Sequence, residues 1–414
     1  ESFGTDRFDD LYCSYERDES IPRITVNAKE LMLDILKERA ETGRIYIMNI
    51  DHCNEHSSFK DKVNMSNLCQ EITLPTDPIN HIDDEGGEIA LCILSAINVG
   101  KITNTDQMDE LCDLAVRGLE ELIDYQNYPV RAAERSTLAR RSLGIGYIGL
   151  AHYLAKAGVK YDDPAAWQMV HDLTESFQYY LLKASNKLAQ ERGACEGFPH
   201  TKYSDGILPI DTYKRDVDSI VPNNLKHDWN TLRDSIKEFG LRHSTLSAQM
   251  PSESSSVVSN ATNGIEPPRD YLSIKKSKKG PLKQIVPSFS TLKNNYTLLW
   301  DMQSNEGYIN VVAVMQKFFD QAISGNWSYN PENYPDNEVP MDVMARDFLT
   351  TYKLGWKTSY YQNTYDAKKD VDEPQHSIGW KDEQPHEDNE GMYLNNLVDE
   401  ILSGDESECE ACNV

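Results

Sequence analysis

Hydrophobic positions along the chain fall into helical periods separated by short β-rich runs. Asn27, followed three residues later by Glu30, makes a capping-box start, after which Leu31, Met32, Ile35 and Leu36 recur at helical spacing until Gly43. Ile45, Tyr46, Ile47, Met48 and Ile50 then predict a strand rich in β-formers, and the order helix then buried strand is an α/β signature. A second helix is expected from about Asp106 to Tyr125, with Met108, Leu111, Ala115, Leu119 and Leu122 on one face. The longest period runs from about Pro164 to Arg192, where Val170, Leu173, Phe177, Leu181, Ala184 and Leu188 form a stripe that Gly193 closes. Core-facing surface explains both stripes more economically than a cofactor role. Apolar segments around Ile145, Ile148 and Leu150, from Val311 to Val314 and from Trp356 to Tyr361 fit strands or helix starts of one mixed sheet or barrel. No internal repeat of fixed period is visible.

Composition narrows the function classes. A chain of 414 residues holds one large or two medium domains. No apolar run approaches the roughly 18 residues of a membrane span and no export segment is visible, so a soluble cytoplasmic protein is expected. A net charge of -26 argues against wrapping nucleic acid, whose backbone this field would repel. A nucleotide-sized ligand stays open, because helix N-termini and backbone N–H groups hold phosphate without a basic surface. The eight cysteines read as reduced thiols rather than a disulfide framework. The opening Glu1, in charged and aromatic-dotted text, suggests a cut or processed chain. Residues 366–414 carry 15 acidic and 3 basic residues and read as a solvated mobile tail, set apart from a catalytic part over 1–365. In it Leu394, Leu397, Val398, Ile401 and Leu402 make a short amphipathic stretch, either a docking segment or transient helicity in a linker.

Candidate chemistry lies in five places. If Asn67-Leu68-Cys69-Gln70-Glu71 is extended, its period of two points an amide, a thiol and a carboxylate to one side, a trio able to position a polyol, generate a sulfur nucleophile or radical, and move a proton. Chance also produces such trios. Cys92 sits in an apolar strand-like run, where a passive core thiol is the ordinary reading, as for Cys13, Cys53, Cys112 and Cys195. Met250 to Ser256, with Ser259 to Gly264 beyond, is a hydroxyl-rich loop suited to presenting N–H groups to an anion, or else an ordinary capped turn. Tyr360 and Tyr361 would point to opposite faces of an ideal strand; aromatic packing is the default, and a radical stepping stone the alternative. Cys409 and Cys412 form a C-x-x-C pair with no second pair to complete a zinc site, so a dithiol carrying reducing equivalents is favoured over a metal.

Five strings together carry a resemblance. Ser66-Asn67-Leu68-Cys69, Ala90-Leu91-Cys92, Met250-Pro251-Ser252-Glu253, Ser259 through Pro268 and Tyr360-Tyr361-Gln362-Asn363-Thr364 resemble, in order and spacing, the large subunit of aerobic class I ribonucleotide reductase. The likeness extends from near Phe8 to about Thr364. It implies the C-terminal half of a ten-stranded α/β barrel, with Cys69 on a central finger loop and helices around it. It further implies that Cys69 bears a transient thiyl radical that takes the ribose 3′-hydrogen, that Glu71 is the base at the 3′-hydroxyl, and that Asn67 orients substrate. Cys92 would be one of two thiols reducing C2′. Pro251, Ser252, Glu253, Ser254 and Ser255 would hold the substrate diphosphate, and Tyr361 then Tyr360 would relay the radical inward. Cys409 and Cys412 would re-reduce the site and be recharged by thioredoxin or glutaredoxin. No metal is implied in this chain, since the radical would come from the metal-tyrosyl centre of a small subunit.

The chain departs from the family pattern in three ways. The second reducing cysteine and the effector-binding segments have no counterpart here, so a companion chain carrying the N-terminal half is expected, as in split and sometimes phage-encoded reductases, or else a truncated chain; a higher oligomer is expected too. For a phage-encoded chain the compartment would be the host cytoplasm. The tail is longer than usual with closely spaced cysteines, and Ser254 stands where relatives often have Thr. Two rivals are a non-catalytic scaffold that binds the small subunit and a thiol-disulfide carrier working through Cys409 and Cys412 alone.

Overall fold

The computed structural model describes residues 7–84, 86–277 and 280–366. Its strands in chain order are β1 (Ile47–Met48), β2 (Ile93–Asn98), β3 (Leu143–Ile148), β4 (Leu272–Ser277), β5 (Gly280–Ile285), β6 (Trp327–Tyr329), β7 (Thr358–Ser359) and β8 (Gln362–Thr364). β2 runs parallel to β3, with Ile93 opposite Leu143 and Asn98 opposite Ile148. Parallel bridges from Ile145 to Ser247 and from Gln249 to Ile323 extend the array. Tyr360 N–H donates to the Gly325 carbonyl at 2.8 Å and Trp327 N–H to that of Tyr361 at 2.9 Å, adding the segment around β7. β1 closes the far edge antiparallel to β7, β6 pairs with β8, and β4 with β5 forms a separate hairpin.

Helical crossovers make the parallel order possible. Helix Met108–Tyr125 lies between β2 and β3, helix Pro164–Arg192 between β3 and the stretch at 245–249, and helix Glu306–Gln316 before the stretch at 321–325. Covered on both sides, β3 buries all six of its residues. The long helix begins on Pro164 behind the Asp163 cap and ends at Gly193, and its six-residue stripe is buried throughout. Asn27 accepts from the amides of Lys29 and Glu30, and Gly43 takes the left-handed conformation, as the capping pattern requires.

Four local expectations need correction. The run from Ile45 to Ile50 pairs only at Ile47 and Met48, because Asn49 turns its amide onto the Trp356 carbonyl at 2.7 Å and Ile50 starts a short helix. On Met108–Tyr125 the buried stripe is Met108, Cys112, Val116, Leu119 and Ile123, while Leu122 is 48% exposed, since the long helix covers the face one position over. Val311 to Val314 lie inside a helix buried on every side, whose interior position removes the amphipathic signal. Cys53, Cys112 and Cys195 are core thiols, but Cys13 is exposed on helix Arg7–Arg17, which buries no residue.

A buried charge cluster clamps the starts of two strands. Glu120 is fully buried and accepts from Arg242 Nε at 2.6 Å and Arg141 Nε at 2.8 Å, with His243 Nε2 at 3.0 Å. Despite burial, hydrogen bonds from His243, Arg141 and Arg242 hold its carboxyl below the usual range. Glu120→Ala strands buried cations, and a loss of about 3–5 kcal/mol is expected in chemical denaturation. Because the folded pKa is depressed, the stabilisation is present above the ordinary carboxylate pKa and is lost as pH falls through the folded value.

Candidate active site

The segment from Asn67 to Glu71 is a turn, not a strand. Gln70 N–H donates to the Asn67 carbonyl at 3.2 Å, and Asn67 pairs with Ile72 through its own N–H at 3.3 Å and its side-chain oxygen at 3.1 Å. Gln70 accordingly sits at φ +72°, in the left-handed region, and its amide is tied to Ser66 Oγ at 2.8 Å. The expected period of two fails because the Asn67 carbonyl and side chain close a turn on Gln70 and Ile72, so the segment does not pair as a regular strand.

The three candidate side chains come together nonetheless. Glu71 is buried and hydrogen-bonds the Asn67 side chain and, at 3.1 Å, the Ser324 hydroxyl. Ser324 also donates to the Cys69 carbonyl, and Ala322 N–H to the Glu71 carbonyl at 3.0 Å, so the strand stretch at 321–325 fixes the finger. Burial raises the Glu71 pKa against these hydrogen bonds. The Tyr360 hydroxyl donates to Cys69 Sγ at 3.4 Å. Burial, opposed by this hydrogen bond and helped by the charge of Glu71, raises the Cys69 pKa and keeps the group a thiol. Hydrogen-atom transfer needs that S–H bond, not a thiolate.

Cys92 lies just before β2. Its sulfur accepts from Gln321 Nε2 at 3.6 Å, and burial pushes its pKa up to about 12, with a further push from Glu71. The charge of Glu71 therefore reaches both thiols. Gln321 is a hub that sequence reasoning missed, since it also donates to the Leu143 carbonyl at 3.0 Å and accepts from Thr73 N–H at 3.3 Å. Gly144 leaves room for the thiol: a Cβ there would lie 2.8 Å from Cys92 Sγ.

Tyr360 and Tyr361 do not point to opposite faces. Their ring centroids are 4.1 Å apart at 52°, because the chain ceases to be an ideal strand after Ser359. Tyr46 completes a cluster, its ring centroid 4.8 Å from that of Tyr360 and 5.4 Å from that of Tyr361. The sequence marked Tyr46 only as a strand former.

The serine-rich loop starts a helix, Glu253–Val258, behind Ser252, whose hydroxyl donates to the Met250 carbonyl at 3.0 Å. Pro251 and Ser254 lie in the same turn. Ser255 Oγ donates to the Ser252 carbonyl at 3.2 Å. The loop follows Gln249, whose carbonyl accepts from Ser324 N–H at 3.0 Å, and so it leaves the array at the end where Ser324 holds the finger. Cys409, Cys412 and the amphipathic stretch near Leu394 lie outside the described residues.

Comparison with known proteins matches residues 1–362 to the model of the ribonucleotide reductase barrel domain. The chain belongs to that family. It is 59% identical over 371 residues to the ribonucleoside-diphosphate reductase subunit alpha of Haemophilus influenzae, a match covering 89% of this chain and 49% of the relative. Against ribonucleoside-diphosphate reductase 1 subunit alpha of Escherichia coli it is 55% identical, over 88% of this chain and 48% of the relative. The alpha subunit of Enterobacteria phage T4 is 42% identical, over 87% and 48%. The chain thus spans about half the length of the curated relatives it matches. As a part of the reductase barrel, the parallel array with an inserted finger is the architecture the resemblance implied. No helix among the described residues is long and apolar enough to cross a membrane.

Proposed function

We propose that this chain supplies the thiyl-bearing half of the active site of a ribonucleoside-diphosphate reductase. The observation that carries the reading is the Tyr360 hydroxyl on the Cys69 thiol, at 3.4 Å, beside the buried Glu71 carboxyl. A radical arriving from the metal-tyrosyl centre of a small subunit takes a hydrogen atom from Tyr361, Tyr361 takes one from Tyr360, and Tyr360 takes the one on Cys69. The Cys69 thiyl removes the ribose 3′-hydrogen while Glu71 accepts the 3′-hydroxyl proton and Asn67 orients the sugar. The 2′-hydroxyl leaves as water, and Cys92 with a second thiol supplies two electrons and becomes a disulfide. The two thiols give one proton to the leaving water and one hydrogen to C2′, Glu71 returns its proton to the 3′-oxygen, and Cys69 returns a hydrogen atom to C3′, its thiyl passing the hole back. The turn from Pro251 to Ser255 would hold the diphosphate through its first helical N–H groups, where the Ser254 substitution matters little. The tail pair Cys409 and Cys412 would reduce the disulfide and be recharged by thioredoxin or glutaredoxin.

The N-terminal half of the reductase would provide the second thiol. Two features support it. β2 pairs on one side only among the described residues, and the finger tip at Leu68 is 63% exposed. Turnover by residues 1–414 with the small subunit, but without the N-terminal half, would exclude it; turnover restored when that half is added is the expected result.

In the reconstituted complex, turnover is expected to fall as pH drops through the Glu71 pKa, which burial places above the ordinary carboxylate range. Glu71→Gln is expected to lower turnover about 10²–10⁴-fold and to erase that acid limb. A variant that retained both rate and pH profile would remove Glu71 from the chemistry.

A further inference from the structure

Helix Ala28–Thr42 buries two side chains, and one of them is an arginine. Arg39 is completely buried, yet among the described residues no carboxylate answers its charge. Its hydrogen bonds run to backbone carbonyls instead: Nη1 donates to Ile45 and, at 2.8 Å, to Tyr360, and Nη2 donates to Tyr361 at 3.3 Å. The guanidinium also lies 4.6 Å from the ring centroid of Trp327, whose backbone N–H donates to the Tyr361 carbonyl at 2.9 Å.

Those three carbonyls belong to one cluster. Tyr360 and Tyr361 carry two of the clustered phenols, and Ile45 immediately precedes the third, Tyr46. Desolvating an unpaired cation is costly, and a core that needed only volume would be better served by an apolar side chain. A planar fork spreads its donors over separate nitrogens, Nη1 reaching Ile45 and Tyr360 and Nη2 reaching Tyr361, a spacing that the single nitrogen of an ammonium does not reproduce.

We propose that Arg39 is the positioning residue of the tyrosine relay, fixing the backbone at Ile45, Tyr360 and Tyr361 so that the three phenols cluster and the Tyr360 hydroxyl meets the Cys69 thiol. The inference rests on the relay reading above and adds to it the group that sets its geometry. Each relay step moves one hydrogen atom: the Tyr361 phenoxyl becomes a phenol as Tyr360 becomes a phenoxyl, and Tyr360 is restored as Cys69 becomes a thiyl. Steps of this kind tolerate little displacement, since a misplacement of about 1 Å can lower a rate about a hundredfold.

The test uses the reconstituted complex with Arg39→Gln and Arg39→Lys. Turnover is expected to drop about a hundredfold for Gln and about tenfold for Lys, with equilibrium nucleotide binding within about twofold of the parent. In parallel, 3-aminotyrosine at position 360 traps the radical there. The β-methylene proton couplings of its electron paramagnetic resonance spectrum report the ring's rotation and are expected to shift in both variants. Should the Gln variant fail to fold, the Lys variant decides. Unchanged couplings with turnover within about threefold of the parent would overturn the positioning role while leaving the relay standing. Absence of any trapped radical with Arg39 in place would instead bring down the relay, and the positioning role with it.

Discussion

Cys69→Ser is expected to abolish nucleotide reduction in the reconstituted complex, by at least about a thousandfold, while leaving the fold intact. The serine O–H bond is stronger than that of a phenol, so a Tyr360 phenoxyl cannot draw a hydrogen atom from it, whereas a thiol S–H bond is weak enough. Serine still accepts the Tyr360 hydroxyl and fills nearly the same volume, so the change in stability should stay near 1 kcal/mol. Radical assay, turnover and thermal unfolding on one preparation separate the effects. Full activity in a folded Cys69→Ser protein would defeat the thiyl reading and leave the chain as a scaffold for a site built elsewhere.

Chemistry was more legible in the sequence than geometry. Caps such as Asn27 and Gly43, and the stripe from Val170 to Leu188, rest on local hydrogen bonds and one dominant neighbour, and local text records both. Asn67, Cys69 and Glu71 stood out as residue types, but their convergence depends on a turn at Gln70 and on Ser324, more than 250 positions away. The residues missed altogether share that cause. Gln321 touches Cys92 across 229 positions, and Arg39 holds the Tyr360 carbonyl across 321, and neither distance leaves a periodic trace. Tyr46 was visible as an aromatic in a β-rich run; only the fold shows that this run lies against β7, bringing a third phenol to the pair.

Tyr360→Phe separates packing from radical transfer more sharply than any other single change. Phenylalanine keeps the ring, and with it the tilted contacts with Tyr361 at 4.1 Å and Tyr46 at 4.8 Å, so stability should change by about 1 kcal/mol or less. It removes only the hydroxyl, the atom that in the proposed relay carries a hydrogen between Tyr361 and Cys69. Turnover is expected to fall at least about a thousandfold, a loss of the size seen when a unit acting as a whole loses one member. The thiol itself should register the loss: the Tyr360 hydrogen bond lowers the Cys69 pKa against burial, so its removal is expected to raise that pKa and slow alkylation of Cys69 at fixed pH. If the two readouts parted, with alkylation slowed but turnover kept, the hydroxyl would be an ordinary hydrogen-bond donor and the radical would reach Cys69 by another route. Tyr361→Phe makes the complementary case, because it leaves the Tyr360 contact with sulfur in place and should silence turnover without touching Cys69 alkylation.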